Sequence, residues 1–338
     1  MPDSTLNPGT RANALSRLAA SATPGEELDV LVIGGGVTGV GIALDAASRG
    51  LSVAVVEAQD WSAGTSSRSS KLVHGGLRYL QMLDFKLVLE ALKERDLLLS
   101  SVAPHLVNPL PFLYPLRHRV WERAFVGAGI LLYDLLASAR RSGRALPFHR
   151  HLSRRGLSEA FPDFAKTAAV GAIEYWDANV DDSRFVLTLL RTATSYGAHA
   201  ASRTQVVELT KNVDGAVDGA VLMDLETGTR LTAKAKVVIS ATGVWTERSQ
   251  ALAGDDGGLR VLASKGIHLV VPRDRIKGTP GLILQTSKSV LFVIPWSRYW
   301  VIGTTDTPWH EELVNPVATA ADIDYVLAEA NKVLAHPI

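Results

Sequence analysis

The segment LDVLVIGGGVTGVGIALDAASRGLSVAVVEAQD, Leu28 to Asp60, leaves the chain little choice of fold. It opens on LDVLVI, an almost unbroken apolar run of the kind found in buried strands. Glycines follow at 34, 36 and 39, in the spacing G-x-G-x-x-G, and then comes a helical stretch that ends at Gly50. A second apolar strand finishes at Glu57. Strand, glycine turn, helix and strand make a βαβ unit, which requires a parallel sheet. Gly34 permits the tight turn, Gly36 lets the backbone approach a pyrophosphate, and Gly39 lets helix and strand pack closely. The N–H groups that open the helix point at the phosphates. Glu57 stands where a carboxylate accepts hydrogen bonds from an adenosine ribose. Strand, spacing, helix and terminal acid agree on a dinucleotide site, and a turn that serves packing alone is the weaker reading. The motif does not choose between nicotinamide and flavin. The long insertion that follows, and a late strand in KVVISATGVW, tilt the reading toward flavin. In that strand Gly243 is a candidate cofactor contact, although a strand-end turn is its plainer role.

The remaining sequence sets limits. At 338 residues the chain can hold two domains or three. Zero cysteines exclude disulfides, thiolate metal sites and thiol catalysis, and no metal centre is expected. A net charge of +1 makes no case for nucleic acid. Residues 1–27 read as a disordered leader with one short helix at Arg11–Ala20, and they lack the apolar stretch of a signal peptide. FVGAGILLY, at 125–133, is far shorter than the roughly 20 residues that span a bilayer. The cytoplasm is the expected location. Between Arg117 and Arg155 nine arginines face two acids around an apolar centre. Such a segment suits a helix lying on a membrane surface with its arginines on anionic headgroups. On the residues alone an ordinary buried helix with solvated arginines is slightly the better reading. A further run, SSRSSKLVHGGLRYLQ at 66–81, concentrates hydroxyls, glycines and cations. Short hydroxyls and backbone N–H groups suit a phosphate-rich ligand.

These pieces together resemble the FAD-dependent, quinone-linked respiratory glycerol-3-phosphate dehydrogenases. The resemblance rests on the βαβ segment, on GTSSRSSKLVHGGLRYLQ, and on VDDSRFVL, ATGVWT, SKGIHLVVP, VLFVIPW and IGTTDTP, in the family's order from Leu28 to Pro308. It implies an FAD-binding Rossmann-like α/β fold of the D-amino-acid-oxidase type with an inserted β-rich substrate domain. It implies an FAD-binding domain in two parts, 28–115 and 156–245, a basic apolar insert at 116–155, and a substrate domain at 246–338. By the same resemblance Thr65, Ser66, Ser67, Ser70, Lys71, His74, Gly75 and Gly76 wrap the cofactor, with His74 as a contact and not the base. Arg78 faces the substrate, where a guanidinium fork suits a phosphate monoester. His268 matches a family histidine near flavin and substrate. A lone strand histidine is more often structural, so its catalytic role rests on the family. Thr304, Thr305 and Asp306 are expected to support the site. The implied reaction is oxidation of sn-glycerol 3-phosphate to dihydroxyacetone phosphate, with a hydride passed to FAD and electrons then to membrane quinone. A peripheral position on the inner face of the cell membrane and a homodimer are compatible with it. Family members continue past the point where this sequence stops, so a chain without the family's C-terminal region is expected. The alternatives are an inactive fragment that retains FAD or membrane binding, and an amine or amino-acid oxidase of the same fold.

Overall fold

The computed structural model describes residues 4–77, 79, 82–138, 145–254, 258–286 and 290–338. They fall into two compact units, Met1–Ser69 with Asp182–Ala263, and Ser70–Asp181 with Ser264–Ile338.

The first unit is built on a six-stranded sheet, in the order His199–Ala201, Val53–Val56, Leu28–Ile33, Arg230–Ser240, Val217–Asp224, Thr204–Lys211. Leu28–Ile33 runs parallel to both Val53–Val56 and Arg230–Ser240, as the βαβ reading requires. The late strand that leads into ATGVW therefore does return beside the first. The hairpin Val217–Asp224 and Arg230–Ser240 turns antiparallel. Side chains alternate across the sheet. Val30, Val32, Val53 and Val55 pack against Val40, Ala43 and Ala47 of the helix Val37–Ser48, and against Val186 and Leu190 of the helix Asp182–Ser195. Leu31, Ile33, Ala54 and Val56 share the other core with Ala14 and Leu18.

Those last two residues correct the expectation of a disordered leader. Pro8–Ala20 is a helix, capped by Asn7 in a reciprocal box with Thr10 and carrying a proline in its first turn. Arg11 ties it down, donating from Nε to the Ser202 carbonyl at 2.9 Å and pairing with Asp224 and Glu226.

The second unit centres on an eight-stranded sheet. The proline-rich segment read as extended chain is one of its long strands, Val107–Leu116, paired antiparallel with Gly171–Val180 over ten residues. Its prolines stand at 109, 111 and 115, so the missing N–H groups all lie on one flank of the strand. Gly281–Gln285, Val290–Trp296, Tyr299–Gly303 and His268–Pro272 continue the sheet on one side, and Leu72–Val73 forms its far edge. Phe161, Trp300, Leu113 and Leu282 fill one core, and the helix Ala320–Asn331 adds Val326 and Ala330 to it.

The unit boundaries differ from the sequence expectation. Residues 70–115 and 156–181 belong with the second unit, and 246–263 with the first. The reason is pairing. Val107–Leu116 and Gly171–Val180 are neighbours inside the second sheet, so the segment between them is an excursion within that unit. Its helix, Trp121–Ser138, buries Gly127, Ile130, Tyr133, Asp134 and Ala137 and exposes Trp121, Phe125, Leu131, Leu132 and Leu135. It is thus buried along one stripe and apolar along the other. Arg140, Arg141 and Arg144 lie outside the described residues. Among the described residues no helix is long and apolar enough to cross a membrane, and no group of His, Cys, Asp or Glu could hold a metal ion.

Candidate active site

In the first unit the glycine turn is shaped by close approach. Gly34 has φ +116°, and a Cβ there would sit 2.4 Å from the Ala241 carbonyl oxygen. A Cβ on Gly39 would come within 1.9 Å of the Gly34 carbonyl oxygen, so the helix meets the turn backbone to backbone. Gly36 is the N-cap of that helix and supplies no side-chain cap. The role falls to Ser66, whose Oγ accepts the Val37 N–H at 2.9 Å. Ser66 belongs to the short turn Thr65–Ser67, in which Thr65 is exposed and the Ser67 hydroxyl reaches the Gly64 carbonyl at 3.4 Å.

Glu57 is fixed on both oxygens. Oε2 accepts the Gly35 N–H at 2.7 Å, and Oε1 accepts the Gln59 N–H at 2.7 Å. Each oxygen keeps a second lone pair that a sugar hydroxyl can use. The Trp61 ring lies over Gly35, 2.6 Å from where a Cβ would stand. Gly243 has φ +55° and open space around a would-be Cβ, so its conformation, not crowding, calls for glycine there. Its neighbour Trp245 lies against Gly64, which joins the ATGVW turn to the Thr65–Ser67 loop. The first unit therefore brings Gly34, Gly36, Gly39, Glu57 and Ser66 together around one helix start.

The second unit gathers a different set. Ser70 Oγ lies 2.9 Å from His268 Nε2. His268 opens the strand His268–Pro272 and is paired with Gly303, where a Cβ would come 2.8 Å from the imidazole Cδ2. Lys71 has φ +59°, and its ammonium lies 5.6 Å from the Trp296 ring centroid. His74 is exposed, with Nδ1 accepting the Gly76 N–H at 3.0 Å. Gly75 is turned inward. Its N–H goes to Tyr133 Oη at 2.8 Å, and a Cβ would be 2.3 Å from Leu92 Cδ2. Thr305 accepts the Ile267 N–H at 3.1 Å and Asp306 accepts from Ser264, so both brace the strand that leads into His268. Arg78 lies outside the described residues.

Five supporting residues, Asp182, Lys265, Arg95, Tyr133 and Asp177, escaped the sequence reading. Asp182 accepts from Ser69 Oγ at 2.7 Å and anchors the end of the serine run. Lys265 is buried and paired with Asp322 at 2.7 Å. Burial lowers the Arg95 guanidinium, but Asp177, Tyr133 and Asp96 outweigh it and raise the net value above the ordinary range. VDDSRFVL and SKGIHLVVP flagged the first two segments. Nothing flagged Tyr133 and Asp177, whose partners are far away in sequence.

A model of the DAO family, described as FAD dependent oxidoreductase, matches residues 29–337. The chain is similar to glycerol-3-phosphate dehydrogenase 2 of Mycobacterium bovis, 51% identical over 337 residues that cover 100% of this chain and 56% of that protein. It is 40% identical over 322 residues to the human mitochondrial glycerol-3-phosphate dehydrogenase, covering 91% of this chain and 43% of that one. Among solved structures, the glycerol-3-phosphate dehydrogenase of Bacillus halodurans complexed with FAD matches with a TM-score of 0.74 at 30% identity, covering 96% of this chain and 56% of that chain. Glycine oxidase from Geobacillus kaustophilus shares the fold, with a TM-score of 0.64 at 20% identity over 91% of this chain and 78% of that chain. The chain spans about half the length of the curated relatives it matches.

Proposed function

Because this chain belongs to the DAO family of FAD-dependent oxidoreductases, we propose that it oxidises sn-glycerol 3-phosphate to dihydroxyacetone phosphate. The match to glycerol-3-phosphate dehydrogenases along the whole of this chain carries the reading.

FAD is the cofactor of this fold. The residues present fit it. The turn at Gly34–Gly39 admits no Cβ at its two ends, which lets strand, turn and helix close up on one another, and the helix start directs N–H groups at a pyrophosphate. Glu57 holds its carboxylate beside that turn for the adenosine ribose. Ser66, already within hydrogen-bond reach of the helix start, adds a hydroxyl for the phosphates. Thr65, Ser67 and Gly243 belong to the same set around this turn. Ser70, Lys71, His74 and Gly76 are further flavin contacts by the family resemblance, with the Lys71 ammonium as the positive charge among them.

When bound, FAD supplies the acceptor for the hydride that leaves C2 of the alcohol. The chain's own residues handle the proton and the phosphate. His268 takes the C2 hydroxyl proton at Nε2, the atom that Ser70 Oγ now faces at 2.9 Å. Arg78 clamps the phosphate, a remote handle that fixes C2 in place. Membrane quinone would be the final electron acceptor. The exposed apolar face of Trp121–Ser138, with Trp121 at 62% and Phe125 at 71% exposure, is the surface we assign to an anionic bilayer.

The test is a visible spectrum of the purified chain, followed by anaerobic titration with sn-glycerol 3-phosphate. A flavin band that bleaches is the expected result. A flavin that stays oxidised with this substrate but bleaches with glycine or another amino acid would replace the proposal with an amino-acid oxidase. A chain that takes up no FAD would end it.

A further inference from the structure

The turn at His74–Leu77 is held from the interior of the second unit. The Gly75 N–H donates to Tyr133 Oη at 2.8 Å and more weakly to Asp177 Oδ1 at 3.3 Å. The phenol has one proton, and it goes to the same Asp177 Oδ1, at 2.8 Å. Tyr133 thus offers Gly75 a lone pair in a fixed direction. Arg95 donates to Asp177 Oδ1 at 2.7 Å and to Asp96 Oδ1 at 3.0 and 3.1 Å. Arg95 and Tyr133 are each only 1% exposed. Burial keeps the Tyr133 hydroxyl protonated by raising it well above its ordinary range. Leu92 closes the remaining side and leaves no room for a side chain at 75. Two helices, Phe85–Leu97 and Trp121–Ser138, and the strand Gly171–Val180 therefore converge on one backbone N–H.

Arg95, Asp96, Tyr133 and Asp177 have no part in the proposed hold on a pyrophosphate or in the proposed proton transfer. An arginine, two aspartates and a tyrosine are nevertheless buried together around a turn of two glycines. A salt-bridged interior of this kind gains little net stability over an apolar one, so its use is more readily sought in the geometry it imposes. We propose that Tyr133 is a positioning residue. By accepting the Gly75 N–H while giving its own proton to Asp177, it sets the backbone of His74–Leu77 and the groups that this turn presents to bound FAD. The proposal rests on the reading above that the turn lines the flavin site.

The test compares the full chain with Tyr133→Phe, and with Asp177→Asn as a second variant should the first fail to fold. Three quantities are measured: amide hydrogen exchange at Gly75 and Gly76, the FAD dissociation constant from flavin fluorescence, and the position of the bound flavin's visible bands. Exchange at Gly75 is expected to quicken by about tenfold, the scale of one lost hydrogen bond. Amides of Leu28–Ile33 should keep their rates, FAD should bind several-fold more weakly, and the flavin bands should shift. Unchanged exchange at Gly75 would overturn the proposal. So would faster exchange with unaltered FAD affinity and bands, which would make the network packing alone. If the unaltered chain takes up no FAD, the functional reading fails separately, and exchange at Gly75 still decides whether Tyr133 sets the turn.

Discussion

Two glycine turns in this molecule are held in opposite ways. At Gly34–Gly39 the backbone does the holding. The helix start touches the turn, Glu57 ties in the Gly35 N–H, and most determinants lie within one short stretch, with the Ala241 carbonyl closing against Gly34 from the late strand. At Gly75–Gly76 the backbone is held by side chains from elsewhere, with Tyr133 at a sequence separation of 58 and Asp177 at 102. A site that must present bare N–H groups is made rigid by excluding side chains. A site that must present imidazole and other side-chain groups needs a scaffold of other side chains behind it. The first design is intolerant of a single methyl group, and the second of a lost partner.

The largest expected effect tests the first design. Gly39→Ala puts a Cβ against the Gly34 carbonyl, where neither backbone can give way. We expect about 4 kcal/mol or more of lost stability in urea unfolding, together with loss of FAD binding. A loss below roughly 1 kcal/mol would show that the turn can yield.

The second design is tested at Lys265, which is buried with Asp322 and leads into the His268 strand. Asp322→Ala leaves the ammonium buried without its carboxylate and is expected to cost about 3 kcal/mol. The effect has a sign in pH. Hydrogen bonding from Lys265, then from the Thr319 backbone, holds the Asp322 carboxyl at about 2 against an ordinary 3.8. A carboxyl lowered on folding stabilises fully above its unfolded value and loses that contribution as pH falls through the folded one. The gap between the two proteins should therefore be complete above about pH 4 and close toward pH 2. A gap that persists to pH 2 would assign the loss to packing.

Glu57→Gln sharpens the comparison from within the first design. One of the two backbone N–H groups would face an amide NH2 in place of a carboxylate oxygen. We expect a stability loss of about 1.5 kcal/mol and FAD affinity lowered roughly tenfold, read by fluorescence titration. The smallest effect on stability is expected at Phe125, which is largely exposed. Phe125→Ser should leave stability within about 0.5 kcal/mol yet weaken sedimentation with phosphatidylglycerol vesicles. Unchanged vesicle binding would remove this face from the membrane proposal.

What could be read in the sequence follows the same division. The βαβ unit and its glycines were legible because each determinant sits a fixed distance from the next. The return of Lys236–Ser240 beside the first strand was legible from its apolar run and the glycine turn after it. The polar network behind Gly75 was not, since tyrosine on a helix and aspartate on a strand carry no spacing signal. The leader was legible in part: a short helix was expected at Arg11–Ala20, but not its burial. Asn7, Pro8 and Thr10 form a helix start in four residues, but only tertiary contact tells that Ala14 and Leu18 are buried. The unit boundaries were misplaced because composition shifts at Arg117, whereas the chain changes unit at Ser69, Asp182 and Ala263 with no such shift.

The central strand of the first sheet bears on how the chain is made. Leu28 pairs with Ala235, so one edge of Leu28–Ile33 waits for a partner that is synthesised much later. At ~5–20 residues per second that wait is roughly 10 to 40 s. Throughout it an apolar strand stands with an open edge beside the ribosome, a template for any passing extended segment. The discontinuous sheet thus makes this protein a strong candidate for chaperone capture during translation, and a slowed codon stretch before Arg230 would lengthen the exposure.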